Sequence, residues 1–371
     1  MIFKVIPIRR KWLPVIMMTA IPAMAFSQAG SKLSDNLSKI MLPKGYKIEI
    51  YTDQVPNARA MDFAEDTTLF VGSMMEGKVY AVRPDRSVVV IDDSLEMPTG
   101  LDYYDGDLYV AAVSRILKYE DILENLDKSP EPVLINGNFP KDTWHGWKFI
   151  RVGPDGKLYI PVGAPCNVCQ PDSVWYSRIF KMTLDGKTIE YFAEGVRNTV
   201  GFDWSPEYGT FWFTDNGRDE MGDDLPPDEL NKARVPGQHF GFPYVHGNNV
   251  LDPVFWPKRI KNKAFTTPAY ELPAHAASLG MRFYTGKMFG EKYHGGIFIA
   301  EHGSWNRSKK IGYRVSYITI EEDRAIHYEV FAGGWLQAEK VWGRPADVQV
   351  GPDGSLFVSD DMAGCVYRIF K

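Results

Sequence analysis

The residues best suited to chemistry are histidines and arginines that stand just before short apolar segments of the chain. Their positions are His145, Arg197 with its neighbour Asn198, His275 and Arg344. An imidazole can accept a proton, and a guanidinium can stabilise an anion. One histidine in such a place is more often structural than catalytic. The position that several of these residues share instead predicts that their side chains face one cavity.

An acidic loop follows the strand-like segment Phe211–Thr214. It carries five carboxylates around two glycines, namely Asp215, Asp219, Glu220, Asp223 and Asp224 with Gly217 and Gly222. Hard oxygen ligands on a bendable backbone suit calcium better than zinc or copper. An exposed loop that is merely solvated is the alternative interpretation of the same residues.

A pattern that recurs six times predicts the elements that position these residues. Each copy has an apolar segment, a turn rich in Asp and Gly, and a short strand of the form Leu-Tyr/Phe-Val/Ile. The short strands begin at Leu69, Leu108, Leu158, Phe211, Ile297 and Leu356. The turns Gly153–Gly156 and Gly351–Gly354 place Pro and Gly where a tight reversal needs them. We therefore expect an all-β fold, a six-bladed β-propeller with long insertions in its middle blades.

The two ends of the propeller are expected to share one blade. Tyr46–Tyr51 has the alternation of a strand but no blade of its own, whereas the last copy ends at Cys365–Phe370 without an outer strand. Pairing these two segments would remove an exposed strand edge.

The overall composition narrows the range of partners. The chain has 371 residues, of which 44% are hydrophobic and 24% are charged, and this is an ordinary globular composition. The formal net charge is −5, and no basic cluster follows the first residues. These features argue against nucleic acid or an anionic membrane surface as the main partner.

The N-terminus has the pattern of an export signal. Basic residues up to Lys11 precede the apolar segment Trp12–Ala25, and small residues follow. We predict a secretory signal peptide over residues 1–27, an N-terminal tether over 28–44 and the propeller domain over 45–371. The expected location is periplasmic or secreted, with no transmembrane segment once the signal is removed.

The three cysteines divide into a pair and a single residue. Cys166 and Cys169 form a CxxC motif, but Gln170 follows it, so the covalent haem motif is not formed. The chain has no second CxxC to complete a zinc site. In an exported protein the pair is expected to be a disulfide. Cys365 lies in a strand-like segment and is expected to be a small buried apolar residue.

Several motifs together resemble the pyrroloquinoline-quinone (PQQ)-dependent soluble sugar dehydrogenases. They are TWHGWKFIRVGPDGKLYIPVGAPCNVC, GVRNTVGFDWSP, FTDNGRDEMGDDLPPDELN, FGFPYVHG, IAEHGSWNR and GRPADVQVGPDGSLFVSDD. The chain is more similar to the sorbosone dehydrogenase-like branch than to the soluble glucose dehydrogenases. The resemblance covers residues 45–371, and it implies PQQ and Ca²⁺ as cofactors, a small sugar substrate and an external electron acceptor.

The resemblance also implies roles for individual residues. His145 corresponds to the general base that takes the substrate hydroxyl proton as hydride leaves for the quinone. Arg197 corresponds to the cation that stabilises negative charge on the quinone oxygen. The backbone carbonyls of Gly217 and Arg218 correspond to ligands of the calcium ion. The remaining cofactor-binding residues are expected to be Asn198, His275, Arg307 and Arg344.

Two other functions remain open at this point. A calcium-dependent six-bladed lactonase or related hydrolase would bind its metal through carboxylate and asparagine side chains, whereas cations outnumber carboxylates among the residues expected at the axis. A binding propeller without activity would be expected to lack His145 or Arg197, and both are present. Where the glucose enzymes use an arginine pair, this chain has only Arg344 with Ala346, so the substrate stays open.

Overall fold

The computed structural model describes residues 33–371, so the predicted signal peptide lies outside the described residues. Six small antiparallel sheets follow one another along the chain and form the blades of a propeller. The predicted six-bladed fold is therefore confirmed. Within residues 33–371 no helix is both long and apolar enough to span a membrane.

The first three blades are built from consecutive strands. Blade 1 contains β2 (Ala58–Phe63), β3 (Leu69–Ser73), β4 (Val79–Val82) and β5 (Val88–Asp92). Blade 2 contains β6 (Gly100–Tyr104), β7 (Asp107–Ala111), β8 (Ile116–Tyr119) and β9 (Val133–Asn136). Blade 3 contains β10 (Arg151–Val152), β11 (Lys157–Val162), β12 (Arg178–Thr183) and β13 (Ile189–Glu194), with β17 (Gln238–His239) added in parallel at its outer edge.

The later blades carry the longer insertions. Blade 4 contains β14 (Gly201–Trp204), β15 (Phe211–Asp215), β16 (Asp228–Ala233) and β20 (Tyr270–Leu272). Blade 5 contains β21 (Ser278–Phe283), β22 (Ile297–Glu301), β23 (Arg314–Glu321) and β24 (Arg324–Gly333). Blade 6 contains β27 (Pro345–Val350), β28 (Leu356–Asp360), β29 (Cys365–Phe370) and β1 (Lys47–Thr52). Outside the blades lie two short hairpins, β18–β19 (Val245–His246 and Val250–Leu251) and β25–β26 (Leu336–Gln337 and Lys340–Val341), a one-turn helix (Ile122–Asn125) and two 3₁₀ turns (Leu126–Lys128 and Trp256–Lys258).

The predicted sharing of one blade by the two chain ends is confirmed. Strand β1 pairs antiparallel with β29, and Lys47 stands opposite Phe370. Just before β1, the Tyr46 ring contacts the Phe289 and Phe331 rings edge-on, at centroid distances of 4.9 and 5.4 Å. The N-terminal strand therefore covers the edge of blade 6 and adds apolar contacts beside it.

The segment predicted to be a tether is packed where the structure describes it. Residues 33–37 are helical, Leu33 is buried, and Leu37 and Ile40 pack against the core between blades 5 and 6. Met41 and Gly333 exchange two backbone hydrogen bonds. Apolar residues at Leu33 and Leu37 have the four-residue spacing that puts them on one helix face. That spacing explains why this part of the chain is docked rather than free.

A belt of buried and partly buried carboxylates joins neighbouring blades around the axis. Each carboxylate on an inner strand accepts a backbone N–H from another blade, with Asp62 bound to Tyr103, Asp102 to Val152, Asp203 to Phe283 and Asp347 to Met61 at 2.8 to 3.0 Å. Arg151 pairs with Asp203 at 2.6 Å, and Arg282 lies 3.5 Å from Asp347. These bonds and ion pairs tie the inner strands of neighbouring blades to one another.

Candidate active site

A cavity of about 870 Å³ lies at the end of the ring where the innermost strand of each blade begins. Its walls come from residues just before β2, β14, β21 and β27, and from residues just after β3, β15, β22 and β28. Because inner and second strands run antiparallel, these two sets of loops meet at the same end of the ring. The structure thus brings together side chains from distant parts of the sequence.

Most of the residues expected from the sequence line this cavity, and two do not. His145, Arg197, Asn198, Gly217, His275 and Arg344 are lining residues. Arg218 is buried behind the wall, where its Nη1 lies 2.6 Å from a carboxylate oxygen of Asp252. Arg307 is directed to the acidic loop, where it donates to the carbonyl oxygen of Asp223 and to the carboxylate of Asp224.

His145 has a buried imidazole in which one ring nitrogen forms a hydrogen bond and the other remains available as an acceptor. Its Nδ1 lies 2.8 Å from the carbonyl oxygen of Ala164, and a carbonyl can only accept, so Nδ1 carries the proton and Nε2 is left as an acceptor. Burial, followed by the nearby Arg197, lowers the pKa of His145 to about 3 against the opposing effect of the Ala164 bond. The imidazole is therefore neutral at ordinary pH, as a general base must be.

The backbone of His145 is in a conformation that is uncommon for a residue with a side chain. Its φ is +50°, in the left-handed region. His275 has a similar φ of +62°. Such a conformation costs free energy and persists only where the surroundings impose it. Functional sites are where these conformations concentrate, and both histidines line the cavity.

Arg197 is held rigidly by several acceptors. Its Nε donates to the carbonyl oxygen of Asn167 at 2.8 Å, and its Nη2 donates to the Asn167 side chain and to Asp219 at 3.1 and 3.2 Å. The backbone N–H groups of Arg197 and Asn198 both donate to the Asp215 carboxylate, at 2.8 and 2.6 Å. Arg197 as a whole is only 4% exposed, so its guanidinium can act on a ligand with little screening by solvent.

A second cation, Arg59, lines the opposite wall and was not predicted from the sequence. Arg59 lies 2.9 Å from Asp361, and the Nε2 of His302 lies 2.9 Å from both oxygens of the same carboxylate. Burial lowers the pKa of His302 to about 4, against the opposing effect of Asp361. Arg59 is the second residue of the innermost strand of blade 1, close to the position that Arg344 has just before the innermost strand of blade 6, and this similarity of position was the signal that could have found it.

The carboxylates of the cavity are as numerous as its guanidiniums. The lining includes Asp219, Asp228 and Asp361 alongside Arg59, Arg197 and Arg344. The lining thus holds equal numbers of guanidiniums and carboxylates, in addition to the three imidazoles of His145, His275 and His302. Asp219 and Asp361 are each bound to an arginine, and burial raises the pKa of Asp228 to about 6. By contrast, Arg344 has no ion pair with any residue in 33–371, and the Nε atom of Arg59 has no hydrogen-bond partner there.

The acidic loop has two parts with different surroundings. Asp219 lines the cavity, whereas Asp223 accepts from the backbone and hydroxyl of Ser308 and is not a lining residue. His275 clamps this loop, because its Nε2 lies 2.8 Å from the carbonyl oxygen of Gly222 and 3.1 Å from that of Leu225. Within residues 33–371, no three side chains of His, Cys, Asp or Glu form a metal-binding group. The fit of a cation therefore depends on backbone oxygens or on a bound ligand.

The mouth of the cavity is apolar and aromatic. Trp144 is 52% exposed and Trp305 is 72% exposed, and both line the cavity. The rings of Trp144 and Trp147 lie 5.7 Å from the imidazole of His145, one on each side of it in sequence. An aromatic surface thus stands next to the candidate base.

The expected disulfide is present between Cys166 and Cys169, and Cys365 is buried and unpaired by disulfide. Both expectations for the cysteines are confirmed. The disulfide lies in the loop between β11 and β12 of blade 3, and Asn167 in this loop contacts Arg197.

Comparisons with known proteins place the chain in a family and identify its fold. A family model described as "Domain of unknown function (DUF7133)" matches residues 32–366. A Borreliella burgdorferi protein described as uncharacterized is 36% identical over 349 residues, which cover 90% of this chain and 91% of that protein.

Solved structures provide the second comparison. The holo form of the pyranose dehydrogenase PQQ domain from Coprinopsis cinerea has a TM-score of 0.73 at 15% identity, over 90% of this chain and 97% of that chain. The calcium structure of a Trichoderma reesei protein of carbohydrate-active enzyme family AA12 has a TM-score of 0.71 at 16% identity, over 89% and 96%. At these identities the likeness is one of fold. The chain therefore belongs to the family described as domain of unknown function DUF7133, and it has the propeller fold seen in the PQQ-dependent sugar dehydrogenases.

Proposed function

We propose that this protein is a PQQ- and calcium-dependent dehydrogenase that oxidises a sugar, or a sugar-derived aldehyde or hemiacetal, by hydride transfer to the quinone. The observation that carries the proposal is the pairing of His145, a neutral imidazole with a free Nε2, with the buried guanidinium of Arg197 at the wall of one cavity. A base and a fixed cation are the two groups that such an oxidation needs from the protein.

The cations of the cavity fit an anionic cofactor. PQQ carries three carboxylates, and three guanidiniums line the cavity at Arg59, Arg197 and Arg344. Guanidiniums bind carboxylates through paired N–H donors. Arg344 has no ion pair among the described residues, and Arg59 has an Nε without a partner, so donors remain for a ligand. Asn198 lines the same wall and adds an amide.

A calcium ion would be held chiefly by backbone and by the cofactor. Gly217 lines the cavity, and its N–H donates to Asp228 at 3.0 Å, which fixes the peptide on its amide side. The side chain of Arg218 is committed to Asp252, so only its backbone carbonyl could contribute. Calcium accepts such carbonyl ligands together with carboxylates and water.

The chemistry divides between the cofactor and the chain. When bound, the quinone supplies the acceptor for the hydride that leaves the substrate carbon. The Nε2 of His145 takes the proton of the substrate hydroxyl, and Arg197 stabilises an adjacent oxyanion from a site that excludes most water. Trp144 and Trp305 offer flat surfaces against which the apolar face of a sugar ring packs at the mouth.

The protein is proposed to act outside the cytoplasm with an external electron acceptor. The predicted signal peptide over residues 1–27 and the disulfide of Cys166 with Cys169 both support this location. The acceptor would regenerate the oxidised cofactor after each turnover.

Reconstitution tests the proposal directly. Purified protein mixed with PQQ and Ca²⁺ is expected to reduce a redox dye when aldoses or sugar aldehydes are supplied, and protein without PQQ is expected to be inactive. A panel of lactones tested with Ca²⁺ alone covers the hydrolase alternative. Lactone hydrolysis without dye reduction would overturn the proposal, as would a failure to bind PQQ.

The substitution His145→Asn tests the role of the imidazole. The variant is expected to bind PQQ with affinity close to that of the wild type, while its turnover falls by about 10²- to 10⁴-fold, the usual loss for a general base. The exposed His327→Asn variant in blade 5 is the control and is expected to keep full turnover. A His145→Asn variant with wild-type turnover on every accepted sugar would remove His145 from the mechanism.

A further inference from the structure

We infer that the disulfide-closed segment Gly163–Cys169 is the positioning element of the site, and that Asn167 within it is a positioning residue that acts through Arg197. The inference rests on the proposed function only in naming PQQ as the ligand whose binding it supports. Asn167 is not a lining residue of the cavity, so any effect that it has on a ligand passes through its neighbours.

Asn167 binds the cavity wall through four hydrogen bonds. Its carbonyl oxygen accepts from Arg197 Nε at 2.8 Å, and its side-chain oxygen accepts from Arg197 Nη2 at 3.1 Å. The same side-chain oxygen accepts from the backbone N–H of Asp219 at 2.8 Å, and its Nδ2 donates to the carbonyl oxygen of Asp219 at 3.3 Å. One residue therefore sets the plane of the guanidinium and the position of the carboxylate that pairs with it.

The start of the same segment sets the position of the candidate base. Ala164 accepts from Nδ1 of His145 at 2.8 Å and donates its own N–H to the carbonyl oxygen of Arg197 at 2.8 Å. Gly163 lies between the two residues, because an added Cβ there would come within 2.7 Å of the Cβ of His145 and 3.1 Å of the carbonyl oxygen of Arg197. The segment thus contacts both groups on which the proposed reaction depends.

The disulfide closes the loop around Asn167. Cys166 and Cys169 flank Asn167 and Val168, and no strand begins again until Arg178. The first fifteen residues after β11 therefore have no sheet to hold them, and the covalent link is what restricts the backbone of Asn167. The carbonyl oxygen that accepts from Arg197 Nε belongs to this restricted backbone.

The two kinds of contact can be separated by substitution. Asn167→Ala removes the side-chain bonds to Arg197 Nη2 and Asp219 but keeps the backbone carbonyl. Cys166→Ser with Cys169→Ser, or reduction of the wild type by dithiothreitol, keeps the side chain but releases the backbone. Cys365→Ala is the matched cysteine control, because Cys365 is far along the chain in β29. Asn248→Ala, at an exposed position, is the matched asparagine control.

Hydrogen exchange at the Arg197 Nε–H tests the inference without any cofactor. The resonance is assigned by its absence in Arg197→Lys. It is expected to be protected in the wild type, in Asn167→Ala and in both controls, and to lose protection when the disulfide is removed or reduced. Unchanged protection in the reduced wild type and in the double serine variant, with the fold intact by circular dichroism, would overturn the inference.

A double-mutant cycle on PQQ affinity gives the second readout. Asn167→Ala is expected to weaken PQQ binding by about 10- to 100-fold, as loss of an outer supporting residue does at other bound groups. In the Arg197→Lys background the same substitution is expected to change affinity by less than about 3-fold, because the coupled partner is gone. Equal losses in both backgrounds would mean that Asn167 does not act through Arg197. If the wild type binds no PQQ, the proposed function fails, while the exchange experiment still decides the positioning role.

Discussion

At the level of single residues, His145 is distinguished by how far its surroundings disfavour the charged form. Burial is the main cause of its lowered pKa, and the guanidinium of Arg197 is the second. Both effects disfavour the imidazolium. The pH dependence of the proposed reaction therefore depends on a pair of residues rather than on the imidazole alone.

The pH profile of the proposed oxidation follows from this pair. A neutral imidazole is the active form, so kcat/KM is expected to stay constant as pH is lowered through about 6.5, the ordinary histidine value, and to fall only toward about 3. Arg197→Gln removes the cation, so the pKa of His145 is expected to rise. Titration of the His145 ring by NMR in wild type and variant measures the shift. An acid limb near the ordinary value in the wild type would contradict this prediction.

The arginines of the opposite wall are expected to contribute to ligand affinity. Arg344→Gln should weaken PQQ binding by about tenfold or more, because a hydrogen bond to a charged group contributes about 1.5–3 kcal/mol. Arg59→Gln should also weaken PQQ binding, but its effect is harder to assign to the ligand, because the substitution also leaves Asp361 without its closest cation. The control is Arg324→Gln, whose side chain is 68% exposed at the outer edge of blade 5. Fluorescence titration with PQQ measures all three, and an unchanged Arg344→Gln affinity would exclude that role.

The sequence predicted those residues of the site that lie just before the innermost strand of a blade. His145, Arg197, His275 and Arg344 each precede an innermost strand, and all four line the cavity. Asp361 was not predicted, although it follows a second strand just as the acidic loop does. Arg307 was placed by a local motif, but its long side chain reaches Asp224 instead, and no sequence pattern reveals a rotamer.

At the level of elements, the strand β1 is the one whose loss is easiest to interpret. Removing residues up to Thr52 would leave β29 as an exposed edge and strip Tyr46, Ile48 and Ile50 from the core. A fully buried apolar side chain contributes about 1.5–3 kcal/mol, these partly buried ones contribute less each, and a whole domain is stable by only about 5–15 kcal/mol. We expect the truncated chain to lose its cooperative thermal transition. The control is a chain from which only residues 1–32 are removed. An equal Tm for the two truncated chains would contradict the prediction.

The more buried a strand is, the more clearly the sequence predicted it. Second strands such as Leu356–Asp360 are wholly buried and stand out as apolar runs. Outer strands are less distinct, and in β9 both Val133 and Leu134 are exposed. The parallel addition of Gln238–His239 to blade 3 has no local signal, because it depends on how a long insertion folds back. Tertiary context decides such elements.

For the whole molecule, stability is expected to be greatest near pH 6 because two sets of buried groups act in opposite directions. Burial lowers the pKa values of His239, His246 and His302 to about 4 each, so the unfolded chain binds more protons below about 6.5 and stability falls as pH falls. Burial raises the pKa of Glu229 to about 8 and that of Asp360 to about 6. The folded chain then holds more protons than the unfolded chain above about 4, so stability falls as pH rises through those values.

Thermal unfolding across pH 4 to 9 measures this balance. The expected curve has one maximum and declines on both sides, and Glu229→Gln should flatten the alkaline side. A Tm that stays level from pH 6 to 9 would show that the buried carboxyls ionise without cost.

The pairing of β1 with β29 also determines when the ring can close as the chain is synthesised and folds. Glu49 and Arg368, which are 3.1 Å apart in blade 6, are separated by 319 positions in sequence. During synthesis, β1 is made before the other strands of the propeller, and β29 is made after them. Contacts of such long range form slowly, since the intervening chain must be ordered first. The propeller therefore cannot close before β29 has been synthesised, and until then β1 has no strand with which to pair.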